Sequence, residues 1–139
     1  MKKSKIIFLI MGIVLLTLVI SALTFYFIYT SNIPTNDNIN VTVIINYGSL
    51  KQVNQEEHNL TVTKGSSALQ AFTNVVTLDL VNYTFGIYIV GVNGYPEQSP
   101  DYWAFYYFDH SLVEWVYAEV GVDNYYLDDG NMIKLEYTG

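Results

Sequence analysis

The sequence predicts an α+β fold: a mixed β-sheet with one packing helix, preceded by a single transmembrane helix. Three observations predict it. Residues 6–29 run 24 positions without a charge. Alternating or β-branched stretches bounded by Gly, Asn and Asp recur between residues 41 and 137. A single capped helical stripe beginning at Ser67 lies among them.

Seventeen of residues 6–29 are Ile, Leu, Val, Phe or Met. At a rise of ~1.5 Å per residue, a helix of that length reaches about 36 Å, enough for a ~30 Å hydrocarbon core. Its hydroxyls, Thr17, Ser21 and Thr24, can bond back to the preceding turn. A cleaved signal peptide is the competing reading. It has an apolar core of only ~7–15 residues and a small-x-small cleavage site. Here the passable site follows Ala22 and puts Ile20 where a small residue belongs, while Phe25, Tyr26, Phe27 and Tyr29 suit an interfacial belt. A soluble helix this apolar would need a larger protein around it. Lys2, Lys3 and Lys5 set the orientation. Residues 1–5 are then a cytoplasmic tail, 6–29 a signal-anchor helix, 30–39 a polar linker containing Pro34, and 40–139 an extracytoplasmic domain of a single-pass cell-membrane protein.

Val41, Val43 and Ile45 alternate with Thr42, Ile44 and Asn46, a strand pattern, and Tyr47-Gly48-Ser49 reads as a turn. His58–Thr63 is a second strand, ended by Gly65. Ser67 with Gln70 forms a capping box, with Ser66 as a competing cap. Leu69, Phe72 and Val76 then mark one stripe of a helix of about 9–11 residues. Ile87–Val92 is a continuous apolar run, read as a central strand, and Asn93-Gly94 is a strong turn. Pro96 and Pro100 bracket a polar loop. Trp103–Phe108 is an aromatic strand, Asp109-His110-Ser111 a turn, Glu114–Val120 a short strand and Asp128-Asp129-Gly130 a tight turn. Ile133, Leu135 and Tyr137 alternate in a closing strand. Two strands, a helix, then three or four strands match the β-grasp arrangement, with one sheet face left open.

An ordered set of segments carries a family resemblance: Lys64-Gly65-Ser66-Ser67-Ala68-Leu69-Gln70-Ala71, Tyr88-Ile89-Val90-Gly91-Val92-Asn93-Gly94, Tyr102-Trp103-Ala104-Phe105-Tyr106-Tyr107, and Val120-Gly121-Val122 with Tyr125 and Leu127-Asp128-Asp129-Gly130-Asn131-Met132-Ile133. Over roughly residues 41–137 it resembles the transcobalamin C-terminal-like domain family. The resemblance implies a β-grasp fold of the soluble-ligand-binding type. Cobalamin carriers use such a domain as one half of a clamp against a helical barrel, so a cobalamin-type ligand is one candidate. Tyr102-Trp103 matches the family's aromatic-Trp strand start. Asp109-His110 stands where the family often has Asn-Gly, and Asp129-Gly130-Asn131 where it has Asp-Gly-Asp or Asp-Gly-Glu.

Beyond residue 30, thirteen acidic residues face Lys51, Lys64 and Lys134, a formal charge of −10, and the chain has no arginine. Nucleic acids and anionic headgroups are therefore excluded as natural partners. With no cysteine, disulfides, thiolate metal sites and an N-terminal lipid-modified Cys are excluded too. His58 and His110 lack zinc-ligand spacing. Asp109-His110-Ser111 holds triad residue types, but chain neighbours rarely converge as a triad needs. Asp123, Asp128 and Asp129 with Asn124 and Asn131 offer oxygens for calcium, although turn chemistry explains them without it. Asp and Glu pairs such as Glu114 and Glu119 offer acid–base chemistry for hydrolysis, but no supporting constellation surrounds them. The expectation is no enzyme.

Six of residues 102–108 are aromatic, and a strand cannot bury them all on one face. If Trp103, Phe105 and Tyr107 pack under the helix, then Tyr102, Tyr106 and Phe108 face away, with Trp115 and Tyr117 extending the same surface. Cross-strand aromatic pairing alone also accounts for this density. The ligand-binding candidates are Tyr102, Trp103, Tyr106, Phe108 and Trp115. Asn40, Asn59 and Asn82 each begin an N-glycosylation sequon. The expected function is a membrane-anchored extracytoplasmic binding module for a small ligand such as a corrinoid or a glycan. The alternative is a non-catalytic accessory or adhesion subunit of a membrane protein complex, in which Gly12, Ser21 and Ala22 let the anchor pack against a partner.

Overall fold

The computed structural model describes residues 2–31, 37–52 and 54–139. They fall into two compact units, Met1–Asn36 and Asp37–Gly139.

In the first unit, helix α1 (Lys2–Ser31) is long and apolar enough to cross a membrane, a property it shares with N-terminal signal sequences. Its hydroxyls bond back along the helix as the sequence predicts. Thr17 Oγ1 donates to Val14 O at 2.8 Å, Ser21 Oγ to Leu18 O at 2.9 Å and Thr24 Oγ1 to Ser21 O at 2.9 Å. The helix begins at Lys2 and continues to Ser31, so it overruns both the expected tail and the first residues of the expected linker. Residues 32–36 of that linker lie outside the described residues.

The second unit runs β1 (Asn38–Asn46), β2 (Gln55–Thr63), α2 (Ala68–Thr73), β3 (Leu78–Tyr83), β4 (Gly86–Val92), β5 (Tyr95–Pro96), β6 (Trp103–Asp109), β7 (Glu114–Tyr117) and β8 (Met132–Tyr137). Five strands form a mixed sheet in the order β2-β1-β8-β6-β7. The β1–β8 pair is parallel and the other neighbours antiparallel. One helix packs on it, as a β-grasp requires.

Alternation decides the core. Val41, Val43 and Ile45 of β1, Ile133, Leu135 and Tyr137 of β8, and Trp103 and Phe105 of β6 point to one face and are buried. Helix α2 lays Ala68, Ala71 and Phe72 on that face, with Phe72 edge-on to Phe105 at 5.8 Å. Its capping box is the expected one. Ser67 N donates to Gln70 Oε1 at 2.8 Å, and Gln70 N to Ser67 Oγ at 3.4 Å.

The helix has six residues, fewer than its apolar stripe suggests. Thr73, Val75, Val76 and Thr77 are β-branched, which costs χ1 freedom in a helix. Asn93 Oδ1 then accepts from Thr77 N at 2.9 Å and draws the chain toward β3. Val76 is still buried, though in a turn.

A second, three-stranded sheet ordered β3-β4-β5 is the main departure. The apolar run read as a central strand is β4, the middle strand of this small sheet, and the alternation of β3 is broken in phase between Leu80 and Val81. Ile89 and Val92 join the main core, which explains why β4 is apolar. The β4–β5 turn is Asn93 (φ 50°) and Gly94 (φ 80°), both left-handed as a tight hairpin requires. β7 ends at Tyr117 instead of Val120, although Ala118 N still donates to Phe105 O at 2.9 Å.

Candidate binding surface

The residues that alternate with the core on β6, β7 and β8 form the outer face of the main sheet. Register fixes their neighbours: Tyr106 lies opposite Tyr117 and Lys134, Phe108 opposite Trp115, and Ala104 opposite Glu136. The Tyr106 and Tyr117 rings meet edge to face at 5.7 Å, and Phe108 and Trp115 likewise at 5.4 Å. His110 closes one end with its ring 5.1 Å from Phe108.

A cation is built into this surface. Lys134 Nζ stands 4.8 Å from the Tyr106 ring centre and 4.9 Å from that of Trp115, and it is ion-paired with Glu136. An ammonium over aromatic faces is held by their quadrupoles, and its alkyl stem covers apolar surface.

Toward the start of β6 the phenols gather. Burial pushes the Tyr88 hydroxyl up to about 12, helped by the charge and hydrogen bond of Glu97 and by Tyr117 and Tyr102. Burial likewise raises Tyr106, followed by Glu136, Tyr102 and Tyr117. Tyr88 and Tyr106 thus hold their phenolic protons beside the carboxylates of Glu97 and Glu136. Around the edge of β7, a groove of about 490 Å³ is lined by Tyr107, Val116, Tyr117, Glu119, Val120 and Tyr125. Tyr107 and Tyr125 stack in it at 5.3 Å. Tyr117 borders both the groove and the outer face and is half exposed.

The expected site residues therefore separate. Tyr106, Phe108 and Trp115 share the outer face, and Tyr102 lies close enough to Tyr106 to raise its hydroxyl. Trp103 is the correction: it is 2% exposed, and its indole Nε1 donates to Tyr95 O at 3.0 Å in an aromatic core with Tyr47 and Tyr137. Strand alternation sends it to the side opposite Tyr106. Tyr88, Glu97 and Lys134 belong to the surface but escape sequence reasoning, because only the docking of the small sheet and the β6–β8 register brings them there.

The acidic turns are accounted for by backbone capping. Asp123 Oδ1 accepts from Ile87 N at 2.8 Å, Asp129 Oδ1 from Asn40 N at 2.7 Å and Asn131 Oδ1 from Asp128 N at 2.9 Å. Among the described residues no group of three or more His, Asp and Glu side chains is placed to hold a metal ion. Asp109 turns its Oδ1 to Ser111 N at 2.8 Å and Ser111 Oγ at 2.6 Å, capping its own turn and leaving His110 to face Gly130 O.

These features define a β-grasp domain with an open, aromatic, hydrogen-bonding sheet face. No family model and no curated protein matches the sequence. Among solved structures, haptocorrin in complex with Cbi is similar at a TM-score of 0.59 and 16% identity, over 77% of this chain and 26% of haptocorrin. A protein from Ruminococcus gnavus ATCC 29149, described as a candidate metal-binding protein, is similar at a TM-score of 0.54 and 15% identity, over 72% of this chain and 96% of its own. The chain thus spans about a quarter of haptocorrin, and at these identities the likeness establishes a shared fold. The transcobalamin resemblance holds at that level.

Proposed function

We propose that this chain is a membrane-anchored extracytoplasmic binding module whose outer sheet face, at the β6–β7 hairpin, takes a ring-shaped ligand with polar edges, a corrinoid or a glycan. In this reading residues 1–5 stay in the cytoplasm, 6–29 anchor the chain and 40–139 bind outside. The observation that carries it is the aromatic cluster of Tyr106, Phe108, Trp115 and Tyr117 on one face, flanked by the phenols of Tyr88 and Tyr102 and the carboxylates of Glu97 and Glu136. Aromatic area with convergent polar groups is what orients small ligands. The haptocorrin structure supports the corrinoid arm through fold alone.

Full-length protein in detergent, titrated with cobinamide, cobalamin and a panel of oligosaccharides while Trp fluorescence is followed, tests this reading. A saturable change lost in Trp115→Ala supports it, and the ligand producing the change separates the two arms. No saturable change with any of them rejects it.

A second reading, an accessory or adhesion subunit, is favoured by two exposed apolar hairpin tips. Tyr83 and Phe85 stack at 5.3 Å between β3 and β4, and Leu112 and Val113 stand out between β6 and β7. Crosslinking on intact cells that recovers one recurring protein partner supports it; a monomer contradicts it.

A further inference from the structure

We propose that Asn40 and Asn59 form a paired N-glycan acceptor site on the polar half of the outer sheet face, an inference that rests on the extracytoplasmic placement of the domain proposed above. Their sequons, Asn40-Val41-Thr42 and Asn59-Leu60-Thr61, lie on neighbouring antiparallel strands in a reciprocal register: Asn40 opposes Thr61, and Thr42 opposes Asn59. Thr61 Oγ1 donates to Asn40 Oδ1 at 3.0 Å, and Thr42 Oγ1 donates to Asn59 Oδ1 at 2.9 Å. Each sequon thus hands its hydroxyl to the other's carboxamide.

Strand geometry presents both acceptors. The middle residues, Val41 and Leu60, turn to the core, so Asn and Thr of each sequon turn together to solvent. Both carboxamides are engaged through Oδ1, and among the described residues neither Nδ2 makes a hydrogen bond. A glycan joins at Nδ2 and leaves Oδ1 an acceptor, so the ladder is compatible with modification. A recess of about 230 Å³ opens over the pair, lined by Asn40, Thr42, Asn59, Thr61 and Gly130 among others. The third sequon, Asn82-Tyr83-Thr84, runs off β3 into a hairpin turn and has no such partner.

The site also meets a physical need. β2 is a nine-residue edge strand, and a long open edge is a template for unwanted strand pairing unless something covers it. A saccharide on Asn59 stands on that edge strand and one on Asn40 on its neighbour β1, and both leave the aromatic half over β6 and β7 free. The chemistry is one substitution. A bond forms from Nδ2 to the anomeric carbon of the saccharide, the bond from that carbon to the phosphate of a lipid-linked oligosaccharide donor breaks, and the displaced amide proton leaves with the phosphate.

Mass spectrometry of peptides from the full-length protein, isolated from its native membranes, tests the site. The expected result is a saccharide mass on a peptide containing Asn40 or Asn59, lost at the altered position in Asn40→Gln and Asn59→Gln. At Asn40 it is also lost in Thr42→Val and kept in Thr42→Ser. Both wild-type peptides unmodified would overturn the proposal. Protease treatment of intact cells, run in parallel, separates the two ways to fail. Bare peptides from a domain that proteases reach from outside defeat the glycan site alone, whereas bare peptides from a protected domain defeat the extracytoplasmic placement as well.

Discussion

The Lys134 ammonium lies 4.9 Å from the centre of the Trp115 ring, on a sheet face where Tyr106 and Ile44 are its register partners on the two flanking strands. With Tyr106 at 4.8 Å it completes a small cage that the domain fills with its own cation. Lys134→Met keeps the alkyl stem and removes the charge. Its thermal unfolding is expected to show a loss of about 0.5–2 kcal/mol, the range of a partly desolvated cation–π contact. Unchanged stability would mean that the rings need no cation to hold them.

The two tryptophans are expected to respond differently. Trp103→Ala opens the core among Tyr47, Tyr137 and Tyr95 and should cost about 3–5 kcal/mol of stability in denaturant titration. Trp115→Ala removes a half-buried ring from the outer face and should cost about 1–2 kcal/mol, its cross-strand pair with Phe108 plus its share of the Lys134 cation–π contact.

Tyr88 provides a pH prediction. The folded domain holds its phenolic proton up to about 12, against an ordinary 10.0, because of burial first and Glu97 second. The folded state therefore binds this proton more tightly than the unfolded chain. Its stability contribution is complete below pH 10 and is lost as pH rises from 10 to about 12. Phenolate absorbance should show a late-titrating tyrosine that moves to lower pH in Glu97→Gln. A tyrosine set titrating together near 10 would contradict the environment described.

Val113 sits at φ 57° at the β6–β7 tip, a left-handed conformation costly for a β-branched residue. Asp109 holds the turn by accepting from Ser111 N and Leu112 N. Val113→Gly relieves the strain at an exposed position and should raise stability by up to about 1 kcal/mol in thermal unfolding. A decrease would show that the Val113 side chain contributes packing that its exposure conceals.

Gly48 is the reverse case. A Cβ there would lie 2.6 Å from Gly139 O and 2.8 Å from Tyr137 O, with φ at +52°. Gly48→Ala should lower the unfolding midpoint by more than the ~1 kcal/mol that left-handed backbone alone costs.

The legible parts of this fold were those written in local pattern. The alternation of Val41, Val43 and Ile45, the Ser67–Gln70 box and the Asn93-Gly94 turn each state their structure within a few residues. The small sheet was not legible, because the alternation of Leu78–Tyr83 slips phase between Leu80 and Val81, and the strand pairs with β4 through a register shift at Asp79 and Leu80. Tyr47 reads as a turn residue, yet it is fully buried against Tyr95 and Trp103, with Asn93 Nδ2, 46 positions away, donating to its hydroxyl at 2.8 Å. At the surface, strand parity assigns Tyr106 and Phe108 to the outer face and Trp103 to the core, so the aromatic density that makes Trp103 a ligand candidate does not make it accessible. Tyr88 and Lys134 depend on which strands become neighbours, and no local pattern encodes that.

The aromatic outer face as a binding surface is tested most directly by fluorescence of Trp103→Phe full-length protein, which leaves Trp115 as the single tryptophan. Titration with cobinamide and with the oligosaccharide panel should give a saturable shift of Trp115 emission for one of them, abolished by Tyr106→Ala. An emission spectrum that stays constant across the whole panel, in protein that unfolds as cooperatively as the wild type, would contradict the account.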